Sequence, residues 1–168
     1  KSENLAEGSG ALTEIYLPST ITTVGGNPFC RRGNATQIVC RAVTPPTCGG
    51  NAFYDVGKSN ADPLDIYVPA ASLSSYAGWG NLSAYGGVYK AFYNITLTDN
   101  DGTGSIQSPI GTDIAYAGAT VTISAPKAPE GKSFDKWEVV STGTVGFENE
   151  DMTLASTTIT MPAADVTL

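Results

Sequence analysis

Gly25-Gly26-Asn27-Pro28-Phe29 and, 24 residues later, Gly49-Gly50-Asn51-Ala52-Phe53 spell one phrase twice. Each copy follows a short apolar run, Ile15-Tyr16-Leu17 before the first and Ile38-Val39-Cys40 before the second. Recurrence at a fixed period of about 20–50 residues marks chains in which each unit covers its apolar face only against its neighbours. A partial third copy, Leu64-Asp65-Ile66-Tyr67-Val68-Pro69, lies further on. Aligned, the three runs alternate with period two, as short strands do. Ile15, Leu17, Ile38, Cys40, Ile66 and Val68 are expected to point into a core. Tyr16, Val39 and Tyr67 would form an outward ladder, with Glu14, Gln37 and Asp65 beside it. Pro18 and Pro69 end their strands, because proline has no N–H to give to a ladder.

After Pro69 the pattern changes. Leu73, Tyr76, Trp79, Leu82 and Tyr85 fall three apart, the spacing of one helical or 3₁₀ face. This stripe reads as a cap over the end of a repeat stack. The alignment also sets Cys40 opposite Leu17 and Cys48 opposite Val24, so both thiols stand where the other copy has an aliphatic residue. They read as small buried hydrophobes; a Cys40–Cys48 bridge, or one involving Cys30, stays open.

From Phe92 onward the chain reads as a second, β-rich domain. Tyr93–Thr98, Ala119–Ser124, Ser133–Val140 and Thr157–Pro162 read as strands, and Asp165–Leu168 begins a fifth. Asp99-Asn100-Asp101-Gly102 reads as a turn. The domains are therefore placed at 1–91 and 92–168.

Composition removes several function classes. The net charge of −7 opposes binding to nucleic acid, whose phosphates require basic patches. There is no histidine, so an ordinary Ser-His-Asp triad is excluded. No run approaches the roughly 20 apolar residues of a membrane-spanning helix. Paired carboxylates at Asp99 and Asp101, or at Glu148, Glu150 and Asp151, sit in polar, turn-like stretches and read as solvated loops. Asp99–Gly104 alternates oxygen ligands as a Ca²⁺ loop does, but its twelfth position is Ile110, not an acid. Asn34, Asn81 and Asn94 begin sequons, which are common by chance in a Thr-rich chain. No cofactor, metal or catalytic residue is expected.

Residues 11–91 resemble the BspA-type leucine-rich repeats of bacterial surface proteins. The likeness rests on Leu12–Gly25 with Asn27-Pro28-Phe29, on Ala42–Thr47 with Asn51-Ala52-Phe53, and on Ile66–Tyr76 as a terminal repeat with its helix. Residues 92–168 are similar to the divergent internalin-type B repeat, through Gly118–Ile123, Gly131–Trp137 and Ile159–Leu168. The resemblance implies a mainly β chain: a short leucine-rich-repeat solenoid with a helical C-terminal cap, then a small β-rich or grasp-like domain. It also implies an exported, non-catalytic cell-surface protein. The expected partner is a host or neighbouring-cell protein, met through Glu14, Tyr16, Gln37, Val39, Asp65 and Tyr67. A glycan bound on Trp79 and the tyrosines is the alternative.

Overall fold

The computed structural model describes residues 12–58, 61–98, 104–141 and 143–168. The turn expected at Asp99–Gly102, with its calcium-like ligand pattern, lies outside the described residues. The chain divides into two compact units between Ala91 and Phe92.

The first unit contains β1 (Glu14–Leu17), β2 (Thr23–Val24), β3 (Gln37–Cys40), β4 (Thr47–Cys48) and β5 (Asp65–Pro69), and it includes the start of β6 (Val88–Thr96). β1, β3 and β5 pair in parallel and in register, so that Ile15, Ile38 and Ile66 stand side by side. β2 and β4 pair the same way, Val24 against Cys48. The repeated phrase marks equivalent corners. The rings of Phe29 and Phe53 stack at 5.5 Å and 12°, and the Phe29 N–H donates to the Ala52 carbonyl at 3.1 Å. The backbones pass so closely here that a Cβ on Gly49 would lie 2.7 Å from the Gly26 Cα. The six alternating residues expected to point inward join one core with Val24, Phe53 and Leu64.

Beyond β5 the chain makes two 3₁₀ segments, Ala70–Tyr76 and Trp79–Tyr85. Tyr76, Trp79 and Leu82 are all buried, although left-handed residues, Gly78 between the first two and Gly80 and Asn81 between the last two, interrupt the 3₁₀ turns.

The expected leucine-rich-repeat solenoid with a helical cap is not the architecture found. The protein is small and β-rich, with mixed sheets and few helices. Only two coils carry a strand in both parallel pairings. The third run, β5, leads into 3₁₀ turns and takes the start of β6 as its next neighbour, with the Val88 N–H donating to the Leu64 carbonyl at 2.8 Å. Among the described residues every helical segment is 3₁₀, none longer than seven residues. Two full coils do not make an array: β3 has an equivalent strand on each side, but among the described residues β4 has only β2 beside it.

In the second unit the later part of β6 is followed by β7 (Ser105–Gln107), β8 (Ile114–Tyr116), β9 (Thr120–Ser124), β10 (Gly146–Phe147), β11 (Ser156–Thr160) and β12 (Val166–Thr167). β6 pairs antiparallel with β8 and parallel with β12. A separate antiparallel sheet runs β10-β11-β9-β7. Val121, Ile123 and Ile159 alternate into a core with Trp137, Met161 and Val166. The grasp-like expectation is not met: among this unit's described residues the one helical element is the 3₁₀ turn Glu148–Glu150. Nor is Ser133–Val140 a strand. Its amides bond singly to different segments, Trp137 to the Met152 carbonyl and Val140 to that of Thr167, both at 2.8 Å, so no ladder forms.

Candidate functional site

The six residues expected on the outward strand face are in register but not equally accessible. Glu14 is exposed, and Tyr16 keeps 50% of its surface open. Val39 and Tyr67 are buried, at 1% and 4%, while Gln37 and Asp65 are partly covered. The expected continuous outward ladder is therefore corrected to a single open rung at Glu14 and Tyr16. At the third rung the polar atoms are used internally. The Asp65 carboxylate accepts from the Tyr67 hydroxyl at 3.0 Å and from the Lys90 ammonium at 2.7 Å. That ammonium also lies 5.9 Å from the centre of the Tyr67 ring, within cation–π range.

The aromatic stripe after β5 closes the first core. The Trp79 indole N–H donates to the Pro46 carbonyl at 2.8 Å. The Tyr76 hydroxyl donates to the Ala42 carbonyl at 2.5 Å and meets the Cys40 sulfur at 3.2 Å. Burial pushes the Tyr76 phenol well above its ordinary range, and the Cys40 contact adds to the rise. Burial likewise raises Cys40, against the lowering pull of its bonds to Tyr76 and Ala42, and it raises Cys48. A thiol is nucleophilic only as thiolate, so these two sulfurs are held in their unreactive form. All three cysteines are free, which closes the question of a bridge.

Two carboxylates of the second unit, Asp151 and Glu148, are engaged by threonines of the same unit. Asp151 accepts from the Thr153 N–H at 2.8 Å and its hydroxyl at 2.7 Å, and these bonds hold its carboxyl below the usual range. Glu148 accepts from the Thr158 hydroxyl at 2.8 Å. Among the described residues no group of three His, Cys, Asp or Glu side chains could hold a metal.

Concavities lie elsewhere. A groove of about 430 Å³ in the second unit is bordered by Leu97, Pro126, Phe134, Val140 and the lysines 127, 132 and 136. In the first unit, shallow grooves of about 290 and 450 Å³ share Tyr85 as their common wall. Across the smaller one, Tyr85 meets Tyr54 edge-to-face, with ring centres 6.1 Å apart. Reasoning from the sequence missed this corner, although a signal was present. Tyr54 follows Phe53 where Cys30 follows Phe29, so the second copy gains an aromatic that the first lacks.

Residues 93–168 match the family model of the divergent InlB B-repeat domain. That span covers most of the second unit and none of the first, so the leucine-rich-repeat likeness of residues 11–91 finds no support in it. No curated protein and no solved structure gave a match. The B-repeat match points to a module of bacterial surface proteins. Among the described residues no helix is long and apolar enough to cross a membrane.

Proposed function

We propose that this chain is a non-catalytic, extracellular binding segment of a bacterial surface protein. The B-repeat match over residues 93–168 carries the surface assignment. The first unit is the adhesive one and the second a spacer or accessory adhesive module. Tyr16, open on a strand whose neighbours are fixed in register, is the anchor for a host or neighbouring-cell protein, and Glu14 stands beside it as a polar rim residue. Rigid, exposed tyrosines are over-represented among residues that dominate binding, because a large amphipathic ring is fixed at small entropic cost. A non-catalytic role is supported by the burial of the Cys40 thiol and by the engagement of Asp151 and Glu148 with Thr153 and Thr158. A glycan platform built on Trp79 is not carried forward, since that ring is buried and its N–H is spent on Pro46.

The test is capture from host extracellular-matrix and mucus extracts by the wild-type chain and by Tyr16→Ala. Loss of the ring should weaken capture of a specific protein about tenfold or more, equal to about 1.4 kcal/mol. The melting temperature should hold, because surface changes of this kind stay within about 0.5 kcal/mol. Undiminished capture by Tyr16→Ala would remove the proposed interface.

A further inference from the structure

We infer that the corner formed by Tyr54 and Tyr85 is a binding site for a neutral oligosaccharide, separate from the strand face that carries Tyr16. Four observations meet there. Tyr54 leaves 44% of its surface open although the stack beneath it is complete without it: the equivalent place in the first copy holds Cys30. Its position is set by backbone bonds, with the Tyr54 N–H donating to the Asn51 carbonyl and the Tyr54 carbonyl accepting from the Arg31 N–H at 2.7 Å. These bonds fix the backbone that carries the ring, and the ring itself meets Tyr85. Tyr85 meets it at 78°, so the two rings form a corner, with one face as floor and the other as wall.

Around the corner the lining is low and mixed, polar and apolar in about equal measure. Gly49, Gly50 and Gly80 border the smaller groove; the Cβ position of Gly50 is open, while those of Gly49 and Gly80 face Gly26 and Phe53. Asn81, exposed and held at φ 55° at the kink inside the second 3₁₀ segment, adds an amide that can donate and accept at once. Beyond Tyr85 the larger groove adds Lys58 and Asp62. Lys58 is paired to Asp55 at 3.1 Å.

A sugar ring presents axial C–H groups on its faces and hydroxyls at its edge. Aromatic faces take the former, while amides, carboxylates and backbone groups take the latter. The two open grooves on either side of one tyrosine suit a linear chain of several sugars. A greasy ligand would favour an enclosed apolar cavity, and a strongly charged one would meet a balanced Lys58–Asp55 pair.

The test is titration of the whole chain with hexasaccharides of glucose, galactose, mannose and N-acetylglucosamine, followed by calorimetry and by NMR of tyrosine ring protons. At least one hexasaccharide should bind at millimolar or tighter affinity and shift the rings of Tyr54 and Tyr85. Tyr85→Ala should weaken it about tenfold or more, and Tyr85→Phe, which keeps the ring, should change it by less than about threefold. Asn81→Gly removes the amide while permitting the positive φ, and should weaken binding severalfold with the melting temperature unchanged. Tyr16→Ala should leave saccharide binding intact, so this result and that of the strand-face test can fail independently. The inference is overturned if none of the four sugars binds, if binding is indifferent to Tyr85→Ala, or if Tyr85→Phe loses as much as Tyr85→Ala. Loss of protein capture alone by Tyr85→Ala would equally overturn it, in favour of a protein ligand.

Discussion

The two units solve the same problem, covering one apolar face of a small sheet, by opposite means. In the first, like meets like: Ile15 beside Ile38 beside Ile66, and Phe29 stacked on Phe53. Parallel in-register strands bring equivalent residues together, so a fault in one coil is felt by its copy. In the second, antiparallel strands bring together residues that belong to no repeated phrase, Val121 with Ile159 and Thr157 with Ile123. Each unit holds one buried tryptophan with its N–H on a backbone carbonyl, Trp79 on Pro46 and Trp137 on Leu154. Repetition therefore concentrates the first unit's stability at a few shared corners, while alternation spreads that of the second.

The sharpest way to break this contrast is Phe53→Ala. Phe53 is buried between Phe29 on one side and Trp79, edge-on at 5.1 Å, on the other. Removing the ring leaves a cavity at the junction of both coils and the closing aromatics, expected to cost about 3–5 kcal/mol. In a Trp137→Phe background the indole emission reports Trp79 alone, and its urea midpoint should fall accordingly. A loss below about 1 kcal/mol would mean that the corners are not where the first unit keeps its stability.

A smaller effect separates backbone from side-chain stacking. A Cβ on Gly49 would press on the Gly26 Cα at 2.7 Å and on the Gly25 carbonyl at 2.8 Å, whereas one on Gly50 meets nothing within 4 Å. Gly49→Ala should therefore destabilise by about 1–3 kcal/mol through overpacking, and Gly50→Ala should stay within about 0.5 kcal/mol. Equal melting temperatures for the two variants would show that the coils can slide apart without loss.

The same contrast explains what could be read from the sequence. The repeated phrase gave positional equivalence: Cys40 beside Leu17, Cys48 beside Val24, and the inward residues of β1, β3 and β5 all follow from alignment. It could not give the number of neighbours, and a period present in only two full copies was mistaken for an array. Nor could it say that the opposite face would be covered at Val39 and Tyr67, because alternation distinguishes two faces without saying which is wet. In the second unit alternation located β9 and β11, but the three-residue strands β7 and β8 are too short to show a period. Ser133–Val140 has the composition of a strand and forms none; Phe134 and Trp137 stand three apart, off a strand's period of two. The tyrosine corner was legible only as a departure from the repeat, at Tyr54 against Cys30.

The smallest predicted effect tests whether the closing aromatics act through polarity as well as bulk. Tyr76→Phe keeps the ring and deletes the hydroxyl that satisfies the Ala42 carbonyl and touches Cys40. Near neutral pH this should cost about 1 kcal/mol. Its pH dependence is more telling. The folded chain holds the Tyr76 proton far more tightly than the unfolded chain, whose phenol titrates near its ordinary value of about 10. The stability contributed by the neutral phenol is thus fully present below about pH 10. It is lost as pH rises further, because the unfolded state releases a proton that the folded state keeps. Wild-type urea midpoints should then fall steeply above about pH 10, and Tyr76→Phe should fall less steeply. Tyr89, also raised by burial, and Cys40 and Cys48, whose loss begins nearer pH 9, contribute to the remaining slope, as do the ammoniums of Lys58 and Lys136, raised by Asp55 and Glu138. Parallel curves for wild type and Tyr76→Phe between pH 8 and 11 would mean that the phenol reaches water in the folded state. The first unit would then be closed by its stacked corners without help from the buried hydroxyl.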